Sequence, residues 1–93
     1  MRPASAVAAL QVGVEIEELD IFDIERGRAG ATHTDILTTM DNLTRGSRNH
    51  LRSFYANLQA VGGHYTPKHL DQASFDAIVT SAKETGAGSG GSP

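Results

Sequence analysis

Residues 34–63 read TDILTTMDNLTRGSRNHLRSFYANLQAVGG, and this stretch decides the fold class. Ile36, Met40, Leu43, Phe54, Leu58 and Val61 recur along it at helical spacing. Thr34 suits the N-cap, Asp35 places a negative charge in the first turn, and Gly62-Gly63 offers the left-handed stop that favours glycine. The spacing therefore predicts a helix from Asp35 to Val61. It cannot be a strand, because strict alternation is absent over its whole length.

Working toward the N-terminus, a second helix is expected over about residues 4–25. Val7, Leu10, Val14, Ile21 and Ile24 share one face, and Val12, Ile16 and Leu19 form another strip on the opposite side. A helix apolar on two sides is expected to be covered on more than one side. Gly27 and Gly30 end it, with Arg26 and Arg28 near its negative end. The short loop that follows makes the two helices antiparallel neighbours. Beyond Tyr65-Thr66-Pro67, Asp71 reads as the N-cap of a short third helix that buries Phe75, Ile78 and Val79. The expected fold is all-α: an antiparallel helical hairpin plus a short C-terminal helix in residues 4–83, and a disordered Gly/Ser-rich tail in 84–93.

The chain has 93 residues, and leaving aside its ends about eighty can build a core, a size at which one core is marginal. With no cysteine there is neither a disulfide nor a thiolate metal site to reinforce it. The formal charge of −3 argues against nucleic acid as a partner. No apolar run approaches the ~20 residues of a membrane span, and no signal peptide is recognisable, so a cytoplasmic location is expected for the chain as written.

Polar residues interrupt both stripes near the middle. Glu17 lies three residues after Val14 and four before Ile21, on the main face of the first helix, with Glu18 at its edge. Ser47 and His50 fall between Leu43 and Phe54 on the second. A buried carboxylate is costly unless it is paired or coordinates a metal. Two readings stay open: Glu17 pairs with Arg45 or Arg48 and His50 is a satisfied core histidine, or Glu17, Glu18 and His50 are metal ligands supplied by facing helices. In the metal reading Ser47 orients the site and Arg48 balances its charge. No nucleophile–base pair or phosphate loop is visible, so no catalytic residue is named and enzymatic activity is not expected.

The segments Val12-Gly13-Val14-Glu15-Ile16-Glu17-Glu18-Leu19-Asp20-Ile21-Phe22-Asp23 and Asn42-Leu43-Thr44-Arg45-Gly46-Ser47-Arg48-Asn49-His50-Leu51-Arg52-Ser53-Phe54 carry a resemblance. Together with Tyr65-Thr66-Pro67 and Phe75-Asp76-Ala77-Ile78 they resemble a prokaryotic ferritin-like family, the domain of unknown function DUF2202. That resemblance implies a four-helix bundle of which these segments are the third and fourth helices. It also implies carboxylate and histidine ligands for iron, manganese or zinc. Here Glu17 or Glu18 matches the single helix glutamate and His50 the histidine, while Ser47 stands where a bridging carboxylate belongs. A homodimer would rebuild four helices and offer two glutamates and two histidines. A complementary N-terminal half would supply the rest. The remaining readings are a metal-free helical interaction module and a truncated fragment with no independent function.

Overall fold

The computed structural model describes residues 3–85. Three helices follow in order: α1 (Pro3–Ala29), α2 (Thr34–Ala60) and α3 (Gln72–Val79). No strand occurs among the described residues. Helices α1 and α2 form the expected hairpin, and α3 packs on α2. Helix α1 opens at Pro3, where a missing N–H costs nothing because first-turn donors have no intrahelical partner. It runs through Gly27 to Ala29, four residues past the expected end near Glu25. Helix α2 takes His33 as N-cap without a side-chain bond, so Thr34 lies inside it.

The end of α2 follows the sequence closely. The Gly62 N–H reaches Gln59 O (3.0 Å) and the Gly63 N–H reaches Leu58 O (2.9 Å), with Gly62 at φ 80°. This is a Schellman cap, in which glycine satisfies the last carbonyls without a Cβ penalty. At Gly63 a Cβ would stand 2.3 Å from Leu58 Cδ1, so the chain also turns too close to the core for any side chain. Asp71 caps α3 as expected, accepting the Ser74 N–H at 2.7 Å.

The core is Val14, Ile21, Leu51, Leu58 and Phe75, with Val7, Leu10, Phe54, Tyr55, Tyr65 and Leu70 packed around it. Phe75 anchors α3 between two rings, edge-on to Tyr55 at 5.2 Å and tilted to Tyr65 at 5.8 Å. The α1 stripe is the expected one. The α2 stripe holds only in part: Ser47 and Leu58 are buried and Met40 and Phe54 half-buried as expected, but Ile36, Leu43 and Val61 are exposed, and Thr44 and Leu51 are buried instead. The buried face is turned by about one residue, and Thr44 fits it because its hydroxyl donates to Met40 O at 2.8 Å. The second strip of α1 (Val12, Ile16, Leu19) is uncovered, against the expectation for that helix.

Residues 86–93 of the expected tail lie outside the described residues. Glu84, assigned to that tail by composition, is instead held against α2 by Arg48, Asn49 and Arg52. No described helix is long and apolar enough to cross a membrane.

Candidate functional site

The pairing of α1 with α2 brings Glu17 and His50 together. Glu17 Oε2 lies 3.5 Å from His50 Nδ1, within ion-pair reach but longer than a good hydrogen bond. The Glu17 side chain is 13% exposed and that of His50 67%, so the pair opens to solvent from the histidine side. His50 follows Leu43 by seven residues and Ile36 by fourteen, which puts all three on one face of α2. A groove of about 400 Å³ lined by Ile36, Thr39, Met40 and Leu43 belongs to that face.

Glu18 does not join them. It is fully buried, on the part of α1 that the segment after α2 crosses. Its Oε1 accepts the Tyr65 hydroxyl, and its carboxylate accepts backbone N–H groups from Lys68 (3.0 Å), His69 (2.7 Å) and Leu70 (2.7 Å). Burial opposes the charge and is the largest single influence. The bonds from Tyr65, Leu70, His69 and Lys68 together outweigh it, and hold the carboxyl below its ordinary 4.5. Burial and donation to this carboxylate push the Tyr65 phenol well above its ordinary value. Glu18 is thus the pin of the connection from α2 to α3. The reading that put Glu17 on the core face and Glu18 at its edge is reversed, because position 18 also follows Val14 at helical spacing and has donors waiting across from it.

Ser47 is buried. Arg48 turns away from the Glu17–His50 pair and forms a two-pronged ion pair with Glu84, both contacts at 2.6 Å. The expected Arg45 or Arg48 partner of Glu17 is replaced by His50. Glu15, one turn before Glu18, meets Lys68 and His69 at 3.3 Å each, which draws His69 to α1.

A metal ion held by protein side chains takes three or four of them. Among the described residues no group of three or more His, Asp or Glu side chains is gathered to hold one. One chain therefore does not fit a metal by itself; it offers the two donors Glu17 and His50, side by side.

Two features escaped the reading of the sequence. The Glu18 pin depends on backbone donors about fifty residues away, which carry no letter of their own. The Arg48–Asn49–Arg52 cluster had a visible signal, since arginines four apart on a helix share a face and need an anion.

Residues 2–82 match the family described as an uncharacterized protein domain, DUF2202. The chain is 40% identical over 82 residues to the uncharacterized protein MJ0754 of Methanocaldococcus jannaschii, covering 88% of this chain and 44% of that protein. The crystal structure of the hypothetical protein MJ0754 superposes with a TM-score of 0.81 over 84% of this chain and 45% of that one. The chain thus spans less than half the length of the relative it matches.

Proposed function

The chain belongs to the DUF2202 family, and from that premise we propose that it is one half of a ferritin-like helical bundle that binds a transition-metal ion between helices once its open face is covered. The partner in this reading is a second copy of the chain, or else a complementary half. The observation that carries it is the Glu17–His50 pair, set beside exposed Ile36 and Leu43 on an uncovered face. Two-fold pairing across that face would oppose two glutamates and two histidines, a nitrogen and oxygen set suited to zinc, iron or manganese. Apolar side chains around the pair would exclude water and supply most of the association energy.

Light scattering coupled to elemental analysis of one purified sample tests this reading. The expected result is a helical dimer carrying about one metal ion per two chains, lost from Glu17→Ala and His50→Ala. Metal retained by both variants would sink it. The metal-free alternative, a helical interaction module, has one observation in its favour: Glu17 already has His50 within ion-pair reach. It predicts a dimer without metal whose stability survives replacing both residues by apolar ones.

A further inference from the structure

The segment that leaves α3 is held by α2 as a receptor holds a peptide. Arg48 grips the Glu84 carboxylate from Nε and Nη2, both at 2.6 Å, and Arg52 Nη2 adds a third bond at 2.8 Å. Asn49 reads the backbone of the same residue: its Nδ2 donates to Glu84 O at 2.8 Å, and its Oδ1 accepts the Glu84 N–H at 2.9 Å. A side-chain amide bonded this way to both backbone groups of one residue imitates a strand partner. Arg52 Nη1 donates to Asn49 Oδ1 at 2.7 Å and so fixes which end of the amide accepts. The same guanidinium reaches Ser81 Oγ (2.8 Å) and Ile78 O (2.9 Å). Three residues on two adjoining turns of one helix thus recognise a glutamate side chain, its backbone and the residues before it.

The charge suits that ligand. Arg48 and Arg52 place two cations on one carboxylate, within a chain of net charge −3. The arginines, Arg48 first, hold the Glu84 carboxyl down to about 2. Beside the clamp, a cavity of about 710 Å³ lies between α2 (Asn49, Ser53, Ala56) and the strap (Ser81, Lys83), enough to receive more residues than the strap fills.

We propose that Arg48, Asn49 and Arg52 form a recognition site for a glutamate-bearing peptide segment, and that Ser81–Glu84 is its resident ligand, bound in cis. The site reads the carboxylate and the backbone together, so a free anion is a poor substitute for a peptide. A competing segment enters only as the strap leaves, which makes the strap a built-in competitor. This assignment requires no metal at Glu17 and His50, although His50 lines the same cavity.

The test uses the full chain, with the Asn49 side-chain amide and the Arg48 and Arg52 Nε–H signals followed by NMR. The probe is the capped peptide Thr-Ser-Ala-Lys-Glu-Thr, the sequence of residues 80–85, titrated to millimolar concentration. In Glu84→Ala the peptide is expected to shift these signals saturably and to bind at least tenfold more tightly than in the wild type. The same peptide with glutamine in place of its glutamate should not bind, nor should acetate reproduce the Asn49 shift. Equal binding of the glutamate and glutamine peptides would overturn the proposal, as would equal affinity in variant and wild type or no binding to Glu84→Ala. Should that variant fail to fold, hydrogen exchange on the wild type decides. The Glu84 N–H must then exchange well before the amides of α2, and faster when the peptide is added. Exchange only through global unfolding, unaffected by peptide, would equally overturn it.

Discussion

Replacing Glu18 by alanine should remove a large share of the protein's stability. The two Glu18 oxygens serve four donors: the Tyr65 hydroxyl and the N–H groups of Lys68, His69 and Leu70. A buried donor left without an acceptor costs about 1–3 kcal/mol, so four of them set an upper limit of roughly 4–12 kcal/mol. The connection can turn some donors to water, at the expense of the Tyr65 and Leu70 packing it brings to the core. That brings the expected loss to about 3–5 kcal/mol, the range for breaking a buried charge network. A domain of this size has a total stability of roughly 4–12 kcal/mol. Urea unfolding followed by far-UV circular dichroism should therefore show Glu18→Ala with a clearly lowered midpoint, the slope being unchanged. Glu18→Gln should fall between it and the wild type, because one acceptor remains while the amide NH₂ faces like donors. A loss below about 1 kcal/mol in Glu18→Ala would refute the claim that this carboxylate organises the connection.

The same residue sets a pH dependence with a definite sign. The Glu18 carboxyl titrates below its ordinary 4.5 in the folded chain, so the unfolded chain binds the proton more readily. Its contribution is complete above pH 4.5 and is lost as pH falls through the lower folded value. Acid unfolding of the wild type should thus be steeper below pH 4.5 than that of Glu18→Gln.

Three further outcomes are expected. Gly63→Ala should destabilise by about 1–3 kcal/mol through overpacking against Leu58, whereas Gly46→Ala, a helical site with nothing within 4 Å, should gain about 0.5–1 kcal/mol; thermal melts of both variants check the opposite signs. Asp71→Ala removes the acceptor of the Ser74 N–H and should fray α3 while α1 and α2 keep their helicity, read by hydrogen exchange. Glu84, which titrates at about 2, should stay paired with Arg48 and Arg52 well below pH 4.5 and release only as pH approaches 2, visible in the Arg48 Nε–H signal.

Much of the fold was legible because local rules wrote it. The Gly62-Gly63 stop and the Asp71 cap rest on contacts within a few residues, the α1 stripe shows in its own periodicity, and the folded chain keeps all three. The family was legible too, from the runs 12–23 and 42–54. What failed was the orientation of α2. Ile36, Leu43 and Val61 read as core because they are apolar and in register; Ser47 was placed on that stripe and is buried, but Thr44 was passed over as polar. The letter does not show that a threonine hydroxyl can satisfy itself on the preceding turn. Glu17 and Glu18 were distinguishable only by what lies across from each. His50 and the Lys68–Leu70 backbone are contributed by chain more than thirty residues away, a fact that periodicity in α1 cannot contain.

The misread stripe of α2 and the open face of the hairpin have one cause. Helix α1 is apolar on two sides, and α2 holds two apolar registers about one residue apart. A pair of helices can bury one side of each against the other, and here the connection and α3 use the far flank of that same core. The registers left over are Val12, Ile16 and Leu19 on α1, and Ile36, Leu43 and Val61 on α2, every one of them exposed. Six large apolar side chains on the surface of so small a chain are more than scattered exposure explains. The exposed registers would suit a further covering layer, and a reading that assumes every apolar stripe is already covered will choose the wrong one. His50, in the exposed register of α2 and in contact with Glu17 at the border of the buried one, sits where the two patterns meet. A second helical layer laid on Leu43 would enclose that pair, and this is why the pairing of helices and the chemistry of Glu17 and His50 are one question.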